Sequence, residues 1–360
     1  MATSATMATT LGRPGHRSGR FAMVSGESER LVEISGREVR ISSPDKIYFP
    51  ELGATKFDLV SYYLEVADAL LNTARDRPAM LQRFPNGATG KSFFQKRVPS
   101  GAPEWLQTTT VTTPNGTTSN ALVVADLAHV AWAVNLGCLG LHLWPYHAAD
   151  PAFVDELRID LDPQPGVGFD EVRTAAFRCR DLLTELGMVA YPKTTGNRGL
   201  HIYLRLEARW DATAVRSAAV ALARELERRH PELITANWWK EERGERVFVD
   251  FNQNAPHKTV FGAWFARPRT GGQVSTPLSW DQVAEVVPDE LTIRVVPERL
   301  RSRGDPWAEI GDRPQSLQPL LDLAERDRAA GLHDAPWPPE YPKGADEPTR
   351  VAPSRAKKPS

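Results

Sequence analysis

The chain has 360 residues, 41% of them hydrophobic and 25% charged, with a formal net charge of −1. That length can bury a substantial core in one large domain or two modest ones. The charge excludes a uniformly basic, histone-like surface but not a local nucleic-acid groove, and no apolar run approaches the roughly 18 residues of a membrane span.

Residues 1–22 carry Arg13, Arg17 and Arg20 among Gly, Ser and Thr, without the apolar centre of a secretory signal. They read as a disordered extension, with Met7 or Met23 as alternative starts. Thr55 followed by Asp58 resembles a capping box, and Leu59, Tyr63, Val66 and Leu70 recur at helical spacing after it. Cys138 and Cys179 belong to no CxxC pair, which argues against a zinc finger or disulfide framework and suits a reducing cytoplasm. A strand is expected over Glu156–Asp162, with Leu157, Ile159 and Leu161 alternating with Arg158, Asp160 and Asp162. A helix follows from about Asp170 to Leu186, with Gly187 as its stop. A second strand, Leu200–Leu206, turns His201, Tyr203 and Arg205 to one face. A helix from about Asp211 ends before Pro231. A third strand over Arg246–Asn252 places Asp250 at its centre, opposite Val249 and Phe251. A last helix begins near Ser316, and residues 335–360, rich in Pro and ending in Lys357 and Lys358, read as an extended, mobile tail. Strands and helices mix without a regular βαβ cadence, so the fold class is α+β.

Asp160 and Asp162 stand two residues apart on a strand, so both carboxylates project from one face roughly 7 Å apart along the chain. Carboxylates so placed can share one or two hard cations, as phosphoryl and nucleotidyl transfer require. A solvated sheet face leading into Pro163, Pro165 and Gly166 is the plainer alternative. Asp250 in an apolar strand needs a partner, either a metal or a salt bridge to Arg243 or Arg246. The segment Thr194–His201 (TTGNRGLH) is a glycine-rich loop whose amides could cradle phosphate, or an ordinary turn into a strand.

Asp160-Leu161-Asp162-Pro163, then Thr195-Gly196-x-Arg198-Gly199-x-His201, then Val249-Asp250-Phe251-x-Gln253-Asn254 resemble, in order and spacing, the polymerase domain of bacterial ATP-dependent DNA ligase D. The similarity runs from about Leu31 to Trp337. It includes Ser43-Pro44-Asp45-Lys46, Phe93-Phe94-Gln95-Lys96, Leu141-His142-Leu143-Trp144 and Ala266-Arg267-Pro268. It implies an archaeo-eukaryotic primase-like core of mixed and antiparallel sheets flanked by helices, over residues 23–334.

By that resemblance Asp160, Asp162 and Asp250 are the catalytic metal ligands for two divalent ions, Mn2+ or Mg2+. Thr195, Arg198, His201, Arg267 and His142 contact the incoming nucleotide, with Gln253 and Arg243 nearby. Lys46 and Lys56 grip the 5′-phosphate beyond a gap. Phe93 and Phe94 stack on bases, with Arg83 and Lys96 as further DNA contacts. Three positions depart from the family pattern: Gln82 stands for a lysine, Thr195 for a serine, and Gly140 for an acidic residue.

The implied protein is a stand-alone, monomeric, template-dependent nucleotidyltransferase of the cytoplasm, associated with the nucleoid. It would act on gapped or primer-template DNA, use NTPs or dNTPs with a preference for ribonucleotides, and partner a separate ATP-dependent DNA ligase. Two other readings fit parts of the pattern. A DxD glycosyltransferase leaves Asp250 and the His201 loop unexplained. A non-catalytic DNA-binding repair module leaves three intact acidic residues without a use.

Overall fold

Alternating apolar and polar residues build the sheet on which the carboxylates stand. The computed structural model describes residues 25, 26, 28–344 and 347–350, and the extension expected over residues 1–22 lies outside them. The central strand is Val154–Pro163, paired antiparallel with Leu200–Trp210 on one side and Val247–Val249 on the other. Tyr191–Thr194 extends one edge and Ile234–Thr235, the sole parallel pairing in this sheet, closes the other, making five strands.

Leu157, Ile159 and Leu161 are buried on the face covered by helices Phe169–Glu185 and Ala212–Arg229. These helices bury residues at helical spacing, Val172, Ala176, Cys179 and Leu183 on one and Val215, Ala219, Leu222 and Leu226 on the other. Burying apolar side chains from water supplies most of the drive for this layer.

The opposite face of the central strand is also largely buried, up to exposed Asp162. A six-stranded antiparallel sheet, which includes Pro78–Arg83, Phe93–Gln95 and Cys138–Leu143, lies beyond it. A buried ionic cluster joins the two sheets. Arg77 donates to both oxygens of Asp155 at 2.7 Å, Arg205 also donates to Asp155, and Arg158 donates to Glu156 at 2.7 Å. Arg158 further donates to the carbonyl oxygens of Leu143 and Trp144 in the second sheet. Each buried charge has an opposite partner, which such burial requires.

Smaller pieces complete the chain. Glu29–Ile34 and Arg37–Ser42 form an N-terminal hairpin, and Ile47–Phe49 pairs with Ala54–Thr55. Helix Lys56–Glu65 opens with the capping box expected from Thr55 and Asp58. No helix among the described residues is long and apolar enough to cross a membrane.

Two expectations change. The strand over Arg246–Asn252 stops at Val249, and Phe251–Asn254 is a short 3-10 helix. The Asp250 carboxylate accepts the N–H of Asn252 at 3.0 Å, a local bond that competes with the ladder. Asn254 then accepts from the N–H of Arg158 and donates to its carbonyl, so a side chain continues the pairing that the backbone abandons. The second change is at the C-terminus. The described part of the segment from Ala335 forms no helix or strand, yet Ala335 and Tyr341 are buried and Arg216 donates to the carbonyls of Ala335 and Pro336. Each proline lacks an N–H donor, and here carbonyls of the segment are used by Arg216 and Asn252 of the body.

Candidate active site

Register decides which side chains meet. Asp160 lies opposite His201, and His201 lies opposite Lys193. Directly opposed residues point to the same face, so Lys193, His201 and Asp160 form a row across three neighbouring strands. The N–H of Asp250 donates to the carbonyl of Asp160 at 2.9 Å, which sets the third aspartate beside the first. Asp162, two residues on, is exposed.

Burial pushes the Asp160 carboxyl up to about 6. Burial, then the neighbouring Asp160, pushes the Asp250 carboxyl up to about 6 as well. Asp162 is raised by the same two causes. Arg243 and Arg246 do not neutralise Asp250 by direct contact. Arg243 donates to the carbonyls of Asn237 and Trp238 and lies 3.5 Å over the Phe248 ring. Arg246 donates to the carbonyls of Pro231, Glu242 and Arg243. Gln253 donates to Asp250 at 2.9 Å.

The donor set is all oxygen, which suits a hard divalent cation. Among the described residues no group of three His, Cys, Asp or Glu is gathered closely enough to hold a metal ion as the side chains stand. A cation would draw the carboxylates together against their own repulsion, which adds to burial in raising the proton affinity of Asp162 and Asp250.

The glycine-rich loop is closed by its own first hydroxyl. The Thr195 hydroxyl accepts from the N–H groups of Asn197 and Gly199 at 3.1 and 3.2 Å. Arg267 donates to the Thr195 carbonyl at 2.5 Å and lies 3.8 Å over the Phe261 ring. Burial lowers the Arg267 guanidinium to about 10, leaving it charged at neutral pH. Arg198 is exposed at the rim, and its charge favours ionised Asp162.

His201 is buried, with Nε2 3.3 Å from Asp160. Burial, Lys193 and Arg267 hold it far below the ordinary imidazole range, so it is neutral. Its Nδ1 has no protein partner among the described residues. Lys193 was not singled out from the sequence. It is fully buried, donates to the Ser275 hydroxyl at 2.5 Å and is strongly depressed by burial and then by Arg267. Its signal was a lysine on the polar phase of a strand just ahead of the hydroxyl loop.

The second sheet contributes an aromatic wall. Phe93 and Phe94 are 47% and 57% exposed, too open for core side chains. His142 sits edge-on between Phe94 and Phe261, with Nε2 3.3 Å from Gln82 Oε1. Burial pushes His142 down to about 3. Arg83 lies 5.1 Å from the Phe93 ring centre and donates to Gln95 and to the Leu136 carbonyl. An open cleft of about 830 Å³ runs past Phe94, Lys96, His142, Gln253 and Lys258.

Lys46 and Lys56 are brought together on one hairpin, where the Lys56 N–H donates to the Lys46 carbonyl. Their side chains part company. Lys46 is exposed and donates to the Pro85 carbonyl and to Asn86. Lys56 is turned inward, donating to the carbonyls of Ser42 and Asn135 at 2.6 and 3.3 Å. Burial, then Lys46, lowers it to about 8.

A family model described as the primase-polymerase domain of LigD matches residues 55–307. The multifunctional non-homologous end joining protein LigD of Mycolicibacterium smegmatis is 32% identical over 307 residues, covering 85% of this chain and 40% of that protein. The LigD proteins of Mycobacterium tuberculosis and Bacillus subtilis are 32% and 30% identical, covering 86% and 79% of this chain. This chain spans 41% and 46% of their lengths. The polymerase domain of Mycobacterium tuberculosis ligase D, solved in complex with DNA, superposes with a TM-score of 0.72 at 30% identity. That match covers 76% of this chain and 98% of the solved one.

Gly196 is closed to a side chain. Its φ is +72°, and an added Cβ would stand 2.6 Å from Arg267 Cγ. A side chain in that conformation costs about 1–3 kcal/mol and would push Arg267 aside. Gly196→Ala is expected to weaken nucleoside triphosphate binding about tenfold or more while the protein remains folded. Calorimetric titration of ATP checks this, and unchanged affinity would show that the loop does not hold the triphosphate.

Proposed function

The chain belongs to the LigD primase-polymerase family, a family of nucleotidyltransferases, and from that premise we propose that it extends primers on a DNA template to fill short gaps. In this reading Asp160, Asp162 and Asp250 hold two divalent ions, manganese by preference. Thr195, Arg198, His201 and Arg267 receive the triphosphate. Template and downstream bases lie against Phe93 and Phe94, with Arg83 and Lys96 on the backbone. A separate ATP-dependent ligase would seal the product, as a step of excision repair or end joining.

One observation carries the reading. Two carboxylates with raised proton affinity lie side by side, tied by the Asp250 N–H to the Asp160 carbonyl, next to a hydroxyl- and arginine-lined loop. Divalent ions bound there would activate a primer hydroxyl for attack on the α-phosphate and stabilise the departing pyrophosphate. The chain's own groups supply the rest. Buried Arg267 offers positive charge that needs no solvent reorganisation. Neutral His201 can donate one hydrogen bond while its other nitrogen accepts one. Aromatic faces stack on any base, which suits a template of arbitrary sequence.

Alanine at Asp160 or Asp162 is expected to abolish primer extension with the fold retained, because each change removes charge that holds a cation. DNA binding should survive, since phosphate contacts elsewhere supply most of the affinity. Extension by either variant at a near wild-type rate would refute the assignment. With ribo- and deoxyribonucleotides in competition, wild type should favour the ribo form by about 5- to 150-fold. That range corresponds to about 1–3 kcal/mol for a polar group left unpaired by the missing 2′-hydroxyl. Equal use of the two would remove sugar selection alone.

Gap recognition falls to Lys46, since the Lys56 ammonium is spent on two backbone carbonyls. A terminal 5′-phosphate carries more charge than a backbone phosphate, and a lysine suits it as a point charge. Wild type should bind a 5′-phosphorylated gap several-fold more tightly than a dephosphorylated one. Lys46→Ala should lose the preference while still extending an open primer. Equal binding of both gaps by wild type would remove this role for Lys46.

A further inference from the structure

Beyond the stretch matched by the family model, which ends at residue 307, helix Gln318–Ala329 leads into a strap of residues 335–344 and 347–350. The strap lies against the Phe251–Asn254 turn, the short piece of chain that follows Asp250. Three side chains make the joint. Arg216, 1% exposed, donates Nε–H to Asn252 Oδ1 at 2.8 Å. It also donates to Asp334 at 2.9 Å and to the carbonyls of Ala335 and Pro336 at 2.8 and 3.2 Å. The Trp337 ring covers its guanidinium at 3.9 Å.

Asn252 is tied at three points. Its Oδ1 accepts from Arg216, its Nδ2 donates to the Pro336 carbonyl at 3.0 Å, and its backbone N–H donates to Asp250 Oδ1 at 3.0 Å. The side chain that bridges helix and strap therefore belongs to the residue whose amide aims the Asp250 carboxylate. Further on, Tyr341 donates to the Pro256 carbonyl, and Glu340 pairs with Lys258 at 2.6 Å. Both ends of the 251–258 segment are thus clamped by the strap. The strap is braced internally, because Glu347 accepts from the N–H groups of Trp337 and Gly344 and pairs with Arg350. Arg350 in turn donates to the carbonyls of Pro338, Tyr341 and Pro342.

We propose that the C-terminal strap is a working part of the active site, with Asn252 and Trp337 as positioning residues that preset the Asp250 carboxylate for a cation. The proposal rests on the reading of Asp250 as a metal ligand. An outer partner that orients a carboxylate contributes to metal affinity without touching the metal. With the strap loosened, the Asn252 amide loses a tie, the turn relaxes and Asp250 samples other directions. The proposed DNA contacts Arg83 and Lys46 are held by Gln95, Leu136, Pro85 and Asn86 rather than by the strap, while Phe94 shares a cleft with the strap's Glu340 and Tyr341.

The test measures Mn2+ binding directly, from the paramagnetic resonance signal of the free ion, alongside primer extension, for the full chain. Trp337→Ala should weaken Mn2+ binding about tenfold, raise the Mn2+ needed for half-maximal extension to match, and leave gapped-DNA affinity unchanged. Trp337→Phe keeps a ring over Arg216 and should restore most of the affinity. Asn252→Ala cuts the bridge itself without removing the backbone N–H, and should reproduce the defect even where Trp337→Ala fails to fold. Wild-type Mn2+ affinity in folded Asn252→Ala overturns the strap proposal alone. A wild-type protein that binds no Mn2+ overturns the three-aspartate site and the strap's role with it.

Discussion

A single backbone hydrogen bond, from the N–H of Asp250 to the carbonyl of Asp160, forces two carboxylates to share a poorly solvated spot. Neither is matched by a bidentate arginine, although arginines are plentiful around them. The nearby guanidiniums are committed: Arg243 to the carbonyls of Asn237 and Trp238, Arg267 to that of Thr195, and Arg158 to Glu156. Uncompensated carboxylates in such a place bind protons more tightly than usual. They are equally ready to exchange those protons for a cation. The rest of the molecule holds this arrangement still.

The holding is done at three levels. The central strand is fixed from behind by the apolar stripes of two helices. In front it is joined to the second sheet through Arg77, Arg158 and Arg205 with Asp155 and Glu156. The turn beyond Val249 borrows Asn254 to keep pairing with Arg158. On the same face as Asp160 lies fully buried Lys193, whose charge burial disfavours, and Arg267 and the rim residue Arg198 carry positive charge nearby. In the proposed reading, negative and positive charge within one site would complement a metal-bound triphosphate.

Strand periodicity made Asp160, His201 and the helical stripes legible, because two-residue alternation and helical spacing survive in any context. The capping box at Thr55 and Asp58 was readable for the same reason, being a local bond within four residues. Asp250 was placed at the centre of a strand, and the strand stops before it. Its own carboxylate ends the strand by capping the next turn, and alternation cannot show that. Lys56 was read, with Lys46, as a grip on a 5′-phosphate. Its inward turn depends on the carbonyls of Ser42 and Asn135, the second of them 79 residues away. The segment after Ala335 looked mobile because its composition offers little to bury. Its described part is fastened instead by Arg216 of the body and braced by its own Arg350, which composition does not reveal.

The most direct measurement is a crystal structure of the protein grown with Mn2+ and a nucleoside triphosphate, with the metal located by its anomalous scattering. The account predicts two anomalous peaks among the carboxylates of Asp160, Asp162 and Asp250, with the phosphates against Thr195 and Arg267. Anomalous peaks held by other residues, with the three aspartates bearing no metal, would contradict it.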